Sequence, residues 1–334
     1  MGTRVLWLGL TAVLLTLFAA VSVWTWLRHW ATEPLPIEHQ TVFEFRAGET
    51  SGHLVERLAT AAVVDCGRCL RWLIASEGVA RRLQAGEYAL NPGATPQELL
   101  AMLVAGEVVQ HKFTIIAGTT YRELLVALAA DTRLDRDSLD TLQTDPTTAL
   151  DLELPFVEGA FLPDTYYFRR GDRLEDVLMR AHRAMMSKLN STWQERTPDA
   201  ALANSTELLI LASIIEKETG LETDRANISQ VFNLRLQKKM RLQTDPTVIY
   251  ALGEEFDGDL RRRDLRVDSP FNTYRYHGLP PTPIAMPSSA ALQAAAHPAT
   301  GDFLYFVAKG DGASQFSRTL DEHNAAVRRY QLRR

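Results

Sequence analysis

An uninterrupted apolar run near the N-terminus constrains how this chain can fold. Residues 5–27 form a stretch of 23 residues without a charged side chain. A helix of that length spans about 34 Å, enough to cross a hydrocarbon core about 30 Å thick. A cleaved signal peptide usually has a shorter apolar region followed by small residues, whereas Trp24 and Trp26 stand at those positions here. We therefore expect residues 1–28 to form an uncleaved transmembrane anchor, followed by a stiff, extended linker over residues 29–40.

Composition excludes several classes of protein. The chain has 334 residues, which suits about two domains, and its net charge of -5 comes without a basic stripe, so nucleic acid is not an expected partner. Cys66 and Cys69 form one C-x-x-C pair, which cannot complete a structural zinc site alone. We interpret them as free or as a local disulfide. The sequence lacks a dinucleotide fingerprint, a P-loop and a zinc-protease motif, so neither a cofactor nor a metal is predicted.

An internal repeat follows the predicted linker. Residues 43–59 and 113–129 share a Phe, an Ala-Gly pair, a Thr and two Leu without a gap, and residues 92–104 repeat the core G-x-T-x-x-x-L-x-x-x-L. Each copy predicts a strand, a glycine turn, a Ser or Thr cap and an amphipathic helix. We expect a small α+β module over residues 41–150. Convergent use of a common strand-turn-helix cap is the alternative interpretation.

Residues 151–334 carry the remaining periodic segments. Apolar spacing predicts helices over residues 174–189, 208–220, 225–239 and 319–330, and a strand at 303–307 followed by a hairpin turn at 309–312. Gly220 is expected to cap the second of these helices. Asp245, which precedes Pro246, is expected to be a helix N-cap.

A carboxylate stands at the end of the most apolar of these helices. Glu216 follows two isoleucines and lies one turn above Ala212. Apolar surroundings disfavour a charged carboxylate, which suits a general acid. A carboxylate at a helix end more often forms a structural ion pair, here with Lys217 or a nearby arginine. The polar segments RLQTDPTVIY and SPFNTYRYHGL follow, and their amides, hydroxyls and aromatic rings suit a sugar.

These segments resemble the endolytic murein transglycosylases, the YceG-like family of lytic transglycosylases. The matching runs occur in the family's order over residues 158–324: EGAFLPDTYYF, LASIIEKET, VFNLRL, MRLQTDPTVIYALG, SPFNTYRYHGLPPTPIAMPS, AAAHPA, LYFVA and EHN. The resemblance implies an α+β protein with a single N-terminal transmembrane helix, a small LysM-like α+β module, and a mixed α/β catalytic domain over residues 151–334.

The resemblance also assigns roles to residues. The motif match places the family's catalytic glutamate on Glu216 in preference to Glu218. The positions expected to bind substrate come from the matched runs: Glu158, Asp164, Gln243, Thr244, Asp245, Tyr250, Ser269, Asn272 and Tyr274. We expect Gln243, Asp245, Asn272 and Tyr274 to line one groove with Glu216. The alternatives are that Asp245 only caps a helix and that Asn272 only shapes a turn.

The implied activity is cleavage of the MurNAc-β-1,4-GlcNAc bond within nascent peptidoglycan strands, which leaves a 1,6-anhydro-MurNAc end and limits glycan length. The protein would sit in the inner membrane with its C-terminal domains in the periplasm, act without a cofactor, and contact cell-wall synthases. Three alternatives stay open. One is a hydrolytic muramidase with Asp164 or Asp245 as a second carboxylate, one is a non-catalytic peptidoglycan-binding scaffold, and one is a Schiff-base lyase that uses Lys217 with a pyridoxal cofactor.

Overall fold

The chain folds into two compact units. The computed structural model describes residues 2–198 and 200–332. The units are Met1–His111 and Lys112–Arg334. Their boundary lies inside the segment 41–150 that was predicted as one module, so the third copy of the repeat belongs to the second unit.

The first unit begins with a long apolar helix, α1, Gly2–Trp30. Its segment Leu10–Trp30 is long and apolar enough to cross a membrane. Every side chain from Leu10 to Trp26 is exposed, as expected of a helix that faces lipid. Leu27 and Trp30, by contrast, are buried in the core of the unit. The last turn of α1 is therefore part of a folded domain.

Two copies of the repeat build the rest of this unit. Its remaining elements are β1 Thr41–Phe45, α2 Ser51–Thr60, α3 Gly67–Ser76, β2 Gly86–Leu90 and α4 Pro96–Ala105. β1 and β2 pair antiparallel, with Phe43 opposite Tyr88. Thr50 caps α2, and Thr95 caps α4 in a capping box with Glu98. The predicted strand, turn, cap and helix of each copy are confirmed.

The prediction of an extended linker over residues 29–40 is wrong. His29 and Trp30 continue α1, and the residues after them pack against the unit. Leu35 is buried, and its N–H donates to the Ala94 carbonyl oxygen at 2.8 Å. The apolar side chains in this segment have a core to join, which outweighs the preference of its prolines for a solvated path. Cys66 and Cys69 form a disulfide at the start of α3, one of the two states expected.

The second unit is built mainly of helices. Its strands are β3 His111–Thr114, which starts at the last residue of the first unit, β4 Thr165–Phe168, β5 Tyr305–Ala308 and β6 Ser314–Ser317. Its helices are α5 Tyr121–Ala130, α6 Leu139–Thr144, α7 Pro146–Ala149, α8 Leu174–Glu195, α9 Ser205–Glu218, α10 Glu222–Gln237, α11 Asp245–Leu252, α12 Ser289–Ala296 and α13 Leu320–Tyr330. Two 3-10 helices, Gly253–Glu255 and Asp264–Arg266, follow α11.

Helix α9 forms the centre of this unit. Leu208 to Ile215 are all buried, and α8, α10, α11 and α12 contact the helix. A helix that is apolar on every side must be surrounded by other elements. The charged residues Glu216, Lys217 and Glu218 follow this buried stretch at the C-terminal end of α9.

The α+β class is confirmed, with corrections in detail. In the part of the second unit that the structure describes, the strands form two two-stranded sheets, β3–β4 and β5–β6, so it is not a wound α/β domain. Gly220 does not cap α9, because the helix ends at Glu218 with Thr219 as an extended C-cap. Asp245 is the first residue of α11 and Thr244 is its N-cap. The predicted hairpin and closing helix are confirmed as β5–β6 and α13.

Candidate functional site

The second unit contains a polar cavity of about 480 Å³ at the charged end of α9. The end of α9, helix α10, the loop before α11, the β5–β6 hairpin and helix α13 all contribute to its wall. The side chains that matter for its chemistry are Glu218, Arg235, Gln243, Asp245, Tyr274, Tyr305 and His323. They come from segments up to 105 residues apart (218 to 323) that only the folded unit brings together.

Glu218 is the acid of this cavity. Its Oε1 accepts a short hydrogen bond from the Thr244 hydroxyl. Burial raises the pKa of Glu218 to about 7, although the Thr244 hydrogen bond opposes the change. The nearby charge of Asp245 raises this pKa further, whereas that of Arg235 lowers it. A substantial fraction of Glu218 is therefore protonated at neutral pH, as a general acid must be.

Arg235 holds two walls of the cavity together. It projects from α10 and is buried, and its Nε donates to the Leu304 carbonyl oxygen at 2.8 Å. Its Nη1 donates to the Leu242 carbonyl oxygen at 2.6 Å, and the guanidinium lies 5.3 Å from the centre of the Tyr305 ring. The hairpin and the loop before α11 are thus tied to α10. The same residue places a positive charge near Glu218, and burial lowers the pKa of Arg235.

The two polar segments found in the sequence are joined beside Glu218. The Gln243 N–H donates to the Thr273 carbonyl oxygen at 3.2 Å, and the Thr244 N–H donates to the Thr273 hydroxyl at 3.1 Å. The Tyr274 hydroxyl donates to Asp245 Oδ1 at 2.5 Å. Gln243 has a φ of +50°, a conformation that is costly for a residue other than glycine and often marks a functional site.

The closing helix contributes an imidazole that the sequence analysis did not identify as functional. His323 stacks on Tyr305, with 5.2 Å between ring centres. Its Nδ1 is buried and has no hydrogen-bond partner among the described residues. Burial and the charge of Arg235 lower the pKa of His323. The EHN run was a signal for this residue, but its place in the cavity depends on how α13 packs.

Glu216 has different neighbours. Its side chain is 8% exposed, and its Oε2 accepts hydrogen bonds from the Ser288 N–H, at 2.9 Å, and from the Ser288 hydroxyl. Arg225 lies 3.9 Å from its other oxygen. Lys217, beside it, donates to the Gly118 carbonyl oxygen at 3.0 Å. Because Ser288 caps α12, Glu216 links the end of α9 to the start of α12.

The expected groove around Glu216 is therefore corrected. Gln243, Asp245 and Tyr274 line the cavity with Glu218, and Glu216 is not among the residues that line it. Side chains two positions apart on a helix point about 200° apart, so the two glutamates face different surroundings. Thr244, also expected to bind substrate, contacts Glu218 directly.

Asn272 and Ser269 shape the loop between the 3-10 helix Asp264–Arg266 and the cavity. Asn272 is fully buried, its amide donates to the carbonyl oxygens of Leu265 and Val267, and its Oδ1 accepts from the Tyr274 N–H at 2.9 Å. Ser269 accepts from the Phe271 N–H at 3.3 Å. Both residues use their polar groups within the loop, so the turn-shaping alternative describes Asn272 better than the groove prediction.

Three other expected substrate residues lie outside the cavity wall. Glu158 is buried and accepts hydrogen bonds from the Tyr121 N–H at 2.9 Å and the Tyr250 hydroxyl at 3.2 Å. Burial raises the pKa of Glu158 to about 7. This network connects α5 with α11. Asp164 is exposed at the start of β4 and accepts from the Thr165 N–H.

A carboxyl group whose pKa is raised by burial, set in a cavity of amide, hydroxyl and aromatic groups, suits an enzyme that uses general acid catalysis on a polar substrate. Comparisons with known proteins then specify the family. Residues 43–329 match the YceG-like family, and the chain belongs to it.

Named relatives agree with this assignment. The chain is 33% identical over 320 residues to a Bacillus subtilis protein named endolytic murein transglycosylase, covering 88% of this chain and 87% of the relative. It is 27% identical to a Streptococcus pneumoniae protein of the same name, of which it spans half the length. The crystal structure of a yceG-like protein from Listeria monocytogenes superposes with a TM-score of 0.57 at 30% identity, covering 86% of this chain and 99% of the other.

Proposed function

We propose that this protein is a membrane-anchored endolytic lytic transglycosylase that cleaves the MurNAc-β-1,4-GlcNAc bond of peptidoglycan, with Glu218 as its general acid and base. The observation that carries the proposal is the position of Glu218 in the wall of a polar cavity, where the Thr244 hydroxyl holds its carboxyl group, and burial there raises its pKa. The names of the relatives support the substrate and the reaction. This assignment moves the catalytic role from Glu216, which the motif match preferred, to the second glutamate of the same tripeptide.

The reaction needs one carboxyl group. Glu218 protonates the glycosidic oxygen, and the bond between that oxygen and C1 of MurNAc breaks. The C6 hydroxyl of the same sugar attacks C1, and its proton passes to the Glu218 carboxylate. The acid is thereby restored, and the product carries a 1,6-anhydro ring. An attached nucleophile needs no second carboxylate to activate water, because proximity lowers the barrier to its attack.

The cavity groups have roles that fit this step. Gln243 and Tyr274 offer an amide and a phenol to hydroxyl and N-acetyl groups, and the Tyr305 ring packs against His323 and Arg235 in the cavity wall. Tyr274 also orients Asp245 through its 2.5 Å hydrogen bond. Arg235 counters the negative charge that Glu218 acquires after it gives up its proton.

A hydrolytic muramidase is the second candidate function. The observation that favours it is Asp245, a second carboxylate in the same cavity, which could activate water. Mass spectrometry of digested glycan separates the two reactions. Anhydro ends support the lytic reaction, and hydrated reducing ends support hydrolysis.

The catalytic assignment is tested by a matched pair of variants. Purified glycan is digested with the wild type, Glu218→Gln and Glu216→Gln, and the anhydro products are counted. We expect Glu218→Gln to lower the rate by about 10²–10⁴-fold, since an amide cannot donate the proton. Glu216→Gln should retain most activity, because it keeps an oxygen for Ser288. If Glu216→Gln loses activity and Glu218→Gln keeps it, the catalytic role returns to Glu216. If both variants cleave glycan at the wild-type rate, neither glutamate is the general acid.

The remaining features of the proposal concern location. We propose that residues 5–27 stay on the mature protein as an inner-membrane anchor, with the rest of the chain in the periplasm near the cell-wall synthases. The strand-turn-helix repeats, proposed to be LysM-like, would hold glycan while internal cleavage limits its length. The length and composition of α1 support the anchor. Sequencing of the mature N-terminus tests it, and a start beyond residue 20 would contradict it.

A further inference from the structure

We propose that the outer face of α3 and the turn after it bind the anionic phospholipid headgroups of the membrane that α1 enters. We call this surface the α3 patch, and it consists of Arg68, Arg71, Trp72, Arg81 and Arg82. The inference rests on the proposed membrane anchor. It goes beyond that anchor because it assigns a lipid-binding role to the folded module.

The first step is the height of α3 above the membrane. The exposed apolar part of α1 ends at Trp26, and Leu27 is already buried in the first unit. No free linker separates the apolar part of α1 from the rest of the first unit, so part of this unit must lie at the level of the lipid headgroups. Arg28 marks that level, since it is the first charged residue after the apolar run. Its Nη1 lies 3.0 Å from Glu77, which directly follows α3. The C-terminal end of α3 therefore lies beside the membrane surface.

The second step is the exposed side of α3. Arg68, Arg71 and Trp72 share one helical face, because they are spaced by three or four residues. The opposite face is buried in the unit: Cys69, Leu70, Leu73 and Ile74. Trp72 is 59% exposed, which is unusual for so large an apolar side chain in water. A tryptophan at the level of the headgroups instead places its ring among the lipids and its N–H toward water.

The third step is charge. Arg68, Arg71, Arg81 and Arg82 are all exposed. Two acidic residues, Asp65 and Glu77, flank α3 in the sequence, fewer than these four arginines. Glu77 pairs with Arg28, and Asp65 accepts a hydrogen bond from the Trp30 ring N–H at 3.1 Å. Exposed arginines on α3 and in the turn after it, together with the exposed Trp72 and the adjacent apolar helix α1, complement an anionic lipid surface.

The full chain in lipid nanodiscs provides the test. Nanodiscs are made from phosphatidylcholine alone or with phosphatidylglycerol, and the lipids carry bromine, which quenches tryptophan emission on contact. The emission of one tryptophan is the difference between the wild type and its Phe variant. Trp72→Phe reports on the α3 patch, Trp26→Phe on α1, and Trp193→Phe on a half-buried tryptophan of the second unit.

We expect quenching of Trp26 in both lipids, stronger quenching of Trp72 with phosphatidylglycerol, and little quenching of Trp193. The double variant Arg81→Glu and Arg82→Glu should weaken quenching of Trp72, since each arginine adds roughly fivefold to binding of an anionic surface. Quenching of Trp26 without quenching of Trp72 would overturn the proposal and leave the anchor intact. The same result is expected if a protein partner, and not lipid, binds the α3 patch. Absence of quenching at Trp26 would overturn the anchor itself and this inference with it.

Discussion

The ionised carboxylate of Glu218 should lower the free energy of unfolding above neutral pH, and the variant Glu218→Gln should not show this loss of stability. The pKa of Glu218 rises from 4.5 to about 7 on folding. Between these values the folded state holds a proton that the unfolded state has lost, so stability falls as pH rises through the interval and stays low above it. Each unit of pKa corresponds to roughly 1.4 kcal/mol, so a difference of about 2.5 units lowers the free energy of unfolding by about 3 kcal/mol. This is an upper limit, because water in the cavity screens the charge.

The assay is urea denaturation of the full chain in detergent, for the wild type and Glu218→Gln, at about pH 4 and about pH 8. The stability of the variant relative to the wild type should rise by up to about 3 kcal/mol between the two. Glu158, whose pKa is also raised, contributes equally to both proteins and cancels in the difference. Glu216→Gln is the matched control, because it makes the same substitution two positions away on α9, outside the cavity wall. An equal difference at both pH values would refute the argument that burial raises this pKa.

Further predictions concern the site and the loops that support it. The rate of glycan cleavage should fall about tenfold per pH unit above about pH 7, as Glu218 loses its proton, in a pH profile of anhydro-product release. Asn272→Ala should lower the free energy of unfolding by about 2–3 kcal/mol, because two loop carbonyl groups lose their buried donor, and urea denaturation measures the loss. Gly159→Ala should cost more than Gly171→Ala in thermal denaturation. Both glycines have positive φ, but an added Cβ at Gly159 would lie 2.6 Å from Pro283, whereas Gly171 has open space.

Most local elements could be predicted from sequence because their causes are local. The apolar run of α1, the Thr-x-x-Glu capping boxes of α4, α5 and α13, and the glycine turn of the final hairpin all lie within a few residues of what they specify. The predictions that failed needed distant information. Residues 29–40 pack against the first unit because later segments of the chain form the core that they join. The cap of α9 depended on the path the chain takes into α10.

The site shows the same division. The sequence analysis found the segments that form the cavity, since LQTDP, SPFNTY and the Glu-Lys-Glu tripeptide all contribute to it. It chose the wrong neighbours for Glu216, because which glutamate faces the cavity depends on what packs against each side of α9. Arg235, Tyr305 and His323 were missed as site residues. Their motifs are individually ordinary, and their common location appears only when the hairpin and α13 close over α10.

The amino-acid sequence by itself thus determined the apolar helix, the strand-turn-helix repeats, the α+β class and the family resemblance, because periodicity, caps and turns act over short distances. The tertiary structure alone decided that α1 ends inside a folded module and that Glu218 and Glu216 have separate environments. A carboxylate's exposure, hydrogen bonds and pKa are set by groups that surround it in space. For Glu218 those groups lie on Arg235, Thr244 and Asp245, which reach it only through packing of the whole second unit.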